Sequence, residues 1–243
     1  MRVALDHVGP QTTIGGFLLG PVQSGLMVLH RRETLERDAQ PRVFTFTDQQ
    51  GDLLNLFRPR GVLCVPLRLK SDRTPLLVAN THANAESATF GAILSPHSLP
   101  SVPLNSEHRC RQLRQLFGHA RRLASSSRVI ICGDLNSTPE DEEIPFGEFG
   151  FAPGTTERHN SWNGLRNPLV AQGWFSEGSD VCTQLDYIFT SSDSGLRPTR
   201  SRLVLDEGPP WLSDHFGVLS DFTVGEFTPR PDTEAVEGLS WGI

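Results

Sequence analysis

The sequence predicts an α/β (α+β) domain rich in strands, on three observations. Short apolar runs of Val, Leu, Ile and Phe recur along the chain between Pro, Gly and Ser punctuation. One long stretch has helical rather than strand spacing. The 243 residues suffice for one large domain, and no internal repeat divides them.

The strands are expected at Gly25–His30, Val43–Thr47, Gly61–Leu69, Leu76–Asn80, Arg128–Cys132, Leu185–Thr190 and Phe216–Val224. Pro66 marks the third of these as an edge strand or a bulge, because proline cannot donate to a ladder. The helix is expected over Glu107–Ala124. There Cys110, Leu113, Leu116, Phe117, Ala120, Leu123 and Ala124 share one face, and Arg111, Arg114, Arg121 and Arg122 take the wet side. Ser106 is its expected N-cap. A shorter helix is expected after Pro139, capped by Ser137 or Thr138, with Glu140 to Glu143 favouring its positive end. Two long connections, Ala85–Asn105 and Gly147–Thr183, carry few strand signals, and loops of that length are often functional. Residues 1–228 read as the folded domain and 229–243, rich in Pro and Glu, as a flexible tail.

The hydrophobic fraction is 37% and no apolar run reaches membrane-spanning length. The start, MRVALDHVGPQTT, lacks the basic flank and apolar core of a signal peptide, so a cytoplasmic chain is expected. The net charge of -6 argues against a dedicated nucleic-acid binder. Four widely spaced cysteines form no C-x-x-C pair, which points to reduced thiols rather than a zinc or redox motif.

Four short stretches share one design: polar residues at the mouth of a strand. LLVANTHANA places His82 just after a strand, and VIICGDLN does the same for Asp134 and Asn136. TQLDYIF places Asp186 near a strand start, and WLSDHFGVL places Asp214 and His215 just before one. Each alone reads as a turn, a cap or an edge carboxylate. Together they supply two histidines, three carboxylates and an amide. That inventory suits metal-assisted attack on a phosphate ester: oxygen ligands for a hard cation, a general base, and donors for developing charge.

The order N-T-H, G-D-L-N, L-D-Y-I-F, S-D-H resembles the endonuclease/exonuclease/phosphatase (DNase I-like) superfamily, over about Ser24 to Phe222. The resemblance implies a four-layer β-sandwich flanked by helices. It implies His215 as general base, Asp186 as the carboxylate that fixes its tautomer, and His82 as a donor to a phosphate oxygen. Asp134 would orient water or phosphate, Asn136 would bind phosphate, and Asp214 would contact the metal. The implied cofactor is Mg2+, with Mn2+ as its alternative. SGLMVLHR, RPRGVLCVPLRL, and THANAES followed by RCRQLRQL are most similar to the neutral sphingomyelinase branch. There Arg109 and Gln112 would bind substrate, or else simply flank the helix's apolar stripe. SWNGLRNPL resembles a T-W-D-x-x-N-P loop found more widely in the superfamily, with Asn163 in the Asp position.

That branch implies a phosphodiester substrate in a membrane lipid headgroup, cleaved to phosphocholine and ceramide with peripheral membrane contact. Nuclease or inositol-phosphate-type phosphatase activity is the alternative, and a non-catalytic binding domain a third. The family's early strands carry an asparagine and a Q-E-V-type motif whose glutamate holds the metal. Nothing before Ser24 resembles either, and Glu33 and Glu36 come too late. The expectation is therefore a domain incomplete at its N-terminus, lacking two strands and a helix, with weakened metal binding.

Overall fold

A computed structural model describes residues 3–8, 25–47, 60–84, 103–123, 127–140, 144–172 and 181–227. The strands are β1 (Val3–Val8), β2 (Leu26–Arg31), β3 (Leu35–Arg37), β4 (Arg42–Thr45), β5 (Gly61–Leu69), β6 (Pro75–His82), β7 (Arg128–Asp134), β8 (Phe151–Pro153), β9 (Trp162–Asn163), β10 (Cys182–Thr183), β11 (Asp186–Ser191), β12 (Leu196–Val204) and β13 (Gly217–Val224). The helices among the described residues are α1 (Pro103–Leu123) and α2 (Pro168–Gln172).

Among the described residues the central sheet has seven strands. Six run in the order β3-β5-β6-β7-β11-β8, and β4 pairs β5 on the same edge as β3. Only β6 and β7 are parallel within it. Parallel neighbours need a crossover, and α1 supplies it.

Alternation assigns the two faces of this sheet. Val62, Cys64, Leu77, Ala79, Val129 and Ile131 point to the α1 side. There they meet Leu113, Leu116, Phe117 and Ala120, all at most 1% exposed. Phe117 anchors that layer, with its ring edge-on to Phe151 and Phe189 at 5.5 and 5.3 Å. Removing such a buried ring costs about 3–5 kcal/mol. Leu63, Val65 and Leu67 point the other way and pack with Val28 of β2. The central sheet is thus covered on both faces, which explains why β5 is buried along most of its length. β12 and β13 form a separate antiparallel ladder, and β13 contacts β11. The result is an α/β sandwich.

Several expectations are corrected. α1 begins at Pro103, a residue well suited to a first helical turn, so Ser106 lies inside the helix rather than capping it. Pro66 marks neither an edge nor a bulge. β4 pairs Cys64 and β3 pairs Leu67, so Pro66 falls in the break between them, and its carbonyl accepts Asp38 N–H at 2.9 Å. The ring nitrogen faces that break, where no donor is needed. The connection 147–183 carries β8, β9, α2 and β10. β1 precedes Ser24 and pairs antiparallel with β2 from Val3↔Arg31 to Val8↔Leu26, so a strand does stand before the S-G-L segment. The helix expected after Pro139 is a turn at Pro139–Glu140, beyond which 141–143 lie outside the described residues. The segment 85–102 and the tail 229–243 lie outside them too.

All four cysteines are free. Burial pushes the Cys64 and Cys132 thiols up to about 12 and 11, which makes both poor nucleophiles at neutral pH.

Candidate active site

Strand register alone brings three of the expected residues to one level. His82 is paired with Asp134 across β6 and β7, and Asp186 is paired with Asp134 across β11 and β7. β6 and β7 end there, and the antiparallel β11 begins there. The three side chains therefore emerge at one end of the sheet, from adjacent strands about 5 Å apart. Gly133 permits the approach. Its φ is 138°, and a Cβ at this position would meet the Thr81 carbonyl oxygen at 2.0 Å.

Beyond Asp134 the chain turns back on itself. Asn136 has φ 50°, and its N–H donates to Asp134 Oδ1 at 2.9 Å. Its side-chain Nδ2 donates to Ala83 O at 3.1 Å, while Ala83 N–H donates to Asp134 O at 2.9 Å. The expected phosphate-binding amide thus also holds the segment after His82 against the end of β7. Tyr187 Oη adds a bond to Ser137 O at 2.7 Å from the buried side.

The fourth component arrives from the segment before β13. His215 Nδ1–H donates to Asp186 Oδ2 at 2.7 Å, a charge-assisted distance. A carboxylate only accepts, so the proton belongs on Nδ1 and the lone pair on Nε2. Nε2 lies 4.0 Å from Asp134 Oδ2, and His82 Nε2 lies 3.4 Å from the same oxygen. One carboxylate oxygen therefore sits between two imidazoles. Trp162 packs edge-on to the His215 ring at 4.9 Å, and the two residues form an isolated β-bridge.

The electrostatics separate these groups. Burial raises Asp134 to about 6, helped by the neighbouring Asp186 charge, against the lowering pull of His215 and the Asn136 N–H. Burial alone would lower His215. The Asp186 hydrogen bond, followed by the charges of Asp186, Asp134 and Asp214, outweighs it and raises the imidazole above its ordinary value. Burial, then Arg60 and His215, hold His82 well below its usual value, so it is neutral near pH 7. Its side chain still keeps 43% of its surface open, enough to meet a ligand as a neutral N–H donor.

Asp214 is exposed, and its Oδ1 accepts from Ser213 Oγ at 3.3 Å. Arg109 and Gln112 are placed differently from the substrate-binding expectation. Gln112 has no exposed surface, and its Oε1 accepts Asn84 N–H at 3.0 Å. Arg109 is 1% exposed. Neither presents a face to a ligand. Gln112 sits under the segment that follows His82 and fixes its backbone.

No group of three or more His, Cys, Asp and Glu side chains arranged to hold a metal occurs among the described residues. The donors present nevertheless suit a hard cation. Asp214 and Asp134 supply oxygens, and an ionised Asp134 disfavoured by burial and by Asp186 is one that a cation would stabilise. Mg2+ is commonly held by only one or two carboxylates with water completing its shell.

The supporting role of residues 161–167, whose loop resemblance the sequence showed, was not legible from it. Ser161 Oγ accepts the N–H groups of Leu185 and Asp186. Asn163 Oδ1 accepts Arg166 N–H at 3.0 Å and the Cys182 thiol at 3.2 Å. Asn167 Nδ2 donates to Ser213 O at 2.9 Å. The only signal available was the S-W-N-G-L-R-N-P stretch itself.

The four polar strand ends of the sequence thus meet at one end of the sheet, with a His–Asp pair beside a second His and Asp. Residues 4–215 match the Endonuclease/Exonuclease/phosphatase family, and the chain belongs to it. The fold is similar to an endonuclease/exonuclease/phosphatase from Bacteroides vulgatus at TM-score 0.62 and 15% identity, over 91% of this chain and 77% of that one. It is similar to a humanized D. rerio TDP2 at TM-score 0.62 and 14% identity, over 90% and 77%. It is similar also to the Bacteroides thetaiotaomicron mannosyl-6-phosphatase Bt3783 at TM-score 0.59 and 12% identity, over 90% and 77%. No curated protein matches the sequence. Members of this superfamily are generally hydrolases of phosphate esters and generally depend on a divalent metal.

Proposed function

We propose that this chain is a Mg2+-dependent phosphodiesterase that cleaves its substrate by in-line attack of water. The observation that carries this reading is the 2.7 Å His215 Nδ1–Asp186 Oδ2 bond, with His215 Nε2 directed toward the level of Asp134 and His82. His215 Nε2 takes the proton of the attacking water, and Asp186 stabilises the imidazolium that results. Asp134 orients the water. His82, neutral, donates to a non-bridging oxygen, and Asn136 helps to hold the phosphate. A divalent ion, contacted by Asp214, would supply charge neutralisation for the phosphoryl oxygens.

For the substrate we propose sphingomyelin, on the likeness of SGLMVLHR, RPRGVLCVPLRL and RCRQLRQL to the neutral sphingomyelinase branch and on the net charge of -6. A single-stranded DNA end is the rival substrate, because a D. rerio TDP2 complexed with single strand DNA product shares the fold at TM-score 0.59 and 17% identity.

The test is turnover with Mg2+ of three substrates side by side: sphingomyelin in detergent micelles, single-stranded DNA, and an inositol phosphate. Release of phosphocholine alone supports the full reading, cleavage of DNA alone replaces its substrate half, and cleavage of the inositol phosphate alone replaces the phosphodiesterase by a phosphatase. Folded protein that cleaves none of them refutes catalysis and leaves a binding domain. His215→Ala should lower kcat by about 10²- to 10⁴-fold, and activity within tenfold of the parent would remove His215 as the base.

A further inference from the structure

We infer that Ser161 is a positioning residue: its side chain holds the Asp186 backbone against a main chain that also holds the segment of His215. The inference rests on the dyad assignment proposed above.

Ser161 is fully buried. Its Oγ accepts two consecutive main-chain donors, Leu185 N–H at 3.2 Å and Asp186 N–H at 3.0 Å. Its own carbonyl accepts Phe216 N–H at 2.8 Å, immediately after His215. The next residue, Trp162, bridges to His215 and packs against its ring. Asp186 and His215 belong to different ladders, β11 in the central sheet and the approach to β13. Ser161 therefore makes direct hydrogen bonds to both halves of the dyad's backbone.

The hold reaches further on the Asp186 side. Leu185 O accepts Leu135 N–H at 2.9 Å, one residue past Asp134. The Leu185–Asp186 peptide is thus gripped by Ser161 on one side and by the end of β7 on the other. Without Oγ, two adjacent N–H groups at the start of β11 lose their acceptor in a part-buried position. An orphaned donor there is relieved only by water entry or by a shift of the peptide that carries Asp186. A shift of even part of an ångström at Asp186 moves Oδ2 relative to Nδ1, and His215 is then free to rotate about a weakened bond.

The residue type follows from the task. A hydroxyl oxygen has two lone pairs, so one oxygen can accept both amides, and serine is small enough to be enclosed between two strand ends. Alanine fills the space but accepts nothing. Cysteine is close in shape and a weak acceptor. Threonine keeps the oxygen.

The experiment compares the parent with Ser161→Ala, Ser161→Cys and Ser161→Thr in the full chain. The first readout needs no substrate: the low-field proton resonance of His215 Nδ1–H, assigned by its loss in Asp186→Asn. Ser161→Ala and Ser161→Cys should lose or shift it upfield, and Ser161→Thr should retain it. The second readout is kinetic: kcat falls about 10- to 100-fold with KM within twofold, and Thr restores most of it. If Ser161→Ala does not fold, the Cys and Thr pair decides the matter alone. Unchanged resonance and kcat in folded Ala or Cys variants would overturn the inference. So would a loss of signal in Thr equal to that in Cys. A parent that shows the resonance and its Ser161 dependence but turns over no phosphodiester would leave Ser161 as the positioning group and refute the proposed function instead.

Discussion

Asp186→Asn isolates the contribution of the dyad's carboxylate. The two side chains are 25% and 21% exposed, so solvent screens their interaction only partly. The 2.7 Å bond is charge-assisted when His215 gains a proton, and losing it should cost about 1.5–3 kcal/mol. That alone corresponds to about 10- to 100-fold in kcat. A second effect adds to it. The Asn amide can present its NH2 to Nδ1, which makes Nδ1 the acceptor and moves the imidazole proton to Nε2. Nε2 is the atom directed toward Asp134 and the expected water, and in that tautomer it has no lone pair to offer. The combined loss is about 10³- to 10⁴-fold in kcat, with KM little changed, because the bond strengthens only as the proton arrives. The assay is steady-state turnover of whichever phosphodiester the parent cleaves, with folding checked by circular dichroism. A kcat within tenfold of the parent would show that the carboxylate neither fixes the tautomer nor stabilises the charged ring.

Further outcomes follow from the electrostatics. Because His215 must be unprotonated to act and is raised above its ordinary value, kcat/KM should climb with pH through a limb above about 6.5, and a limb at or below that would contradict the assignment. EDTA should abolish turnover and Mg2+ restore it. Asp214→Asn should raise the Mg2+ concentration at half-activity about tenfold or more, equivalent to about 1.4 kcal/mol of lost attraction, and an unchanged midpoint would remove Asp214 from the metal site. Asp134→Asn should inactivate yet stabilise. The folded protein holds the Asp134 proton more tightly than the unfolded chain, from 3.8 up to about 6, so stability falls as pH rises across that interval. In EDTA the variant should gain about 1–3 kcal/mol in urea unfolding at pH 7 and nothing below pH 4, and an equal gain at both pH values would rule out the ionised carboxylate as the cause.

The site was legible where chemistry and strand ends coincide. His82, Asp134, Asp186 and His215 each adjoin an apolar run, and a run that stops at a polar residue announces the mouth of a strand. Register then did the rest, since His82, Asp134 and Asp186 are mutual neighbours in adjacent ladders. The strands that escaped are those with no period to read. β9 and β10 have two residues each, and β3 and β8 three. β12, LRPTRSRLV, is mostly polar, with a register shift between Pro198 and Arg200, so it lacks an apolar alternation. β1, VALDHV, has polar Asp6 and His7 interrupting its apolar residues and precedes a glycine-rich stretch, so it offers no clean strand signal. Gln112 and Ser161 illustrate a different limit. Both act on main-chain amides of residues 28 and 24 positions away, and nothing in a side chain's identity names a backbone partner.

These placements divide the site into two mechanical halves. His82, Asp134 and Asp186 are carried by three adjacent strands of one sheet, locked by the ladder itself and by the core that Phe117 anchors beneath it. Moving any one of them requires breaking register, which a sheet resists cooperatively. His215 lies outside that ladder: it precedes β13 in a separate one and meets the sheet through its bond to Asp186. Its position is set by the backbone of residues 161–162, by Asn167 on the Ser213 carbonyl, and by Asp186 itself. A substitution in the α1-facing core should therefore lower stability while the surviving folded molecules keep their kcat. A substitution among 161–167 should change kcat with a smaller effect on stability. If His215 is the base proposed above, proton transfer would depend on where Nε2 lies to within a fraction of an ångström, so the less supported half would govern the rate, and substitutions in 161–167 should lower kcat more than substitutions in the core beneath the strand ends.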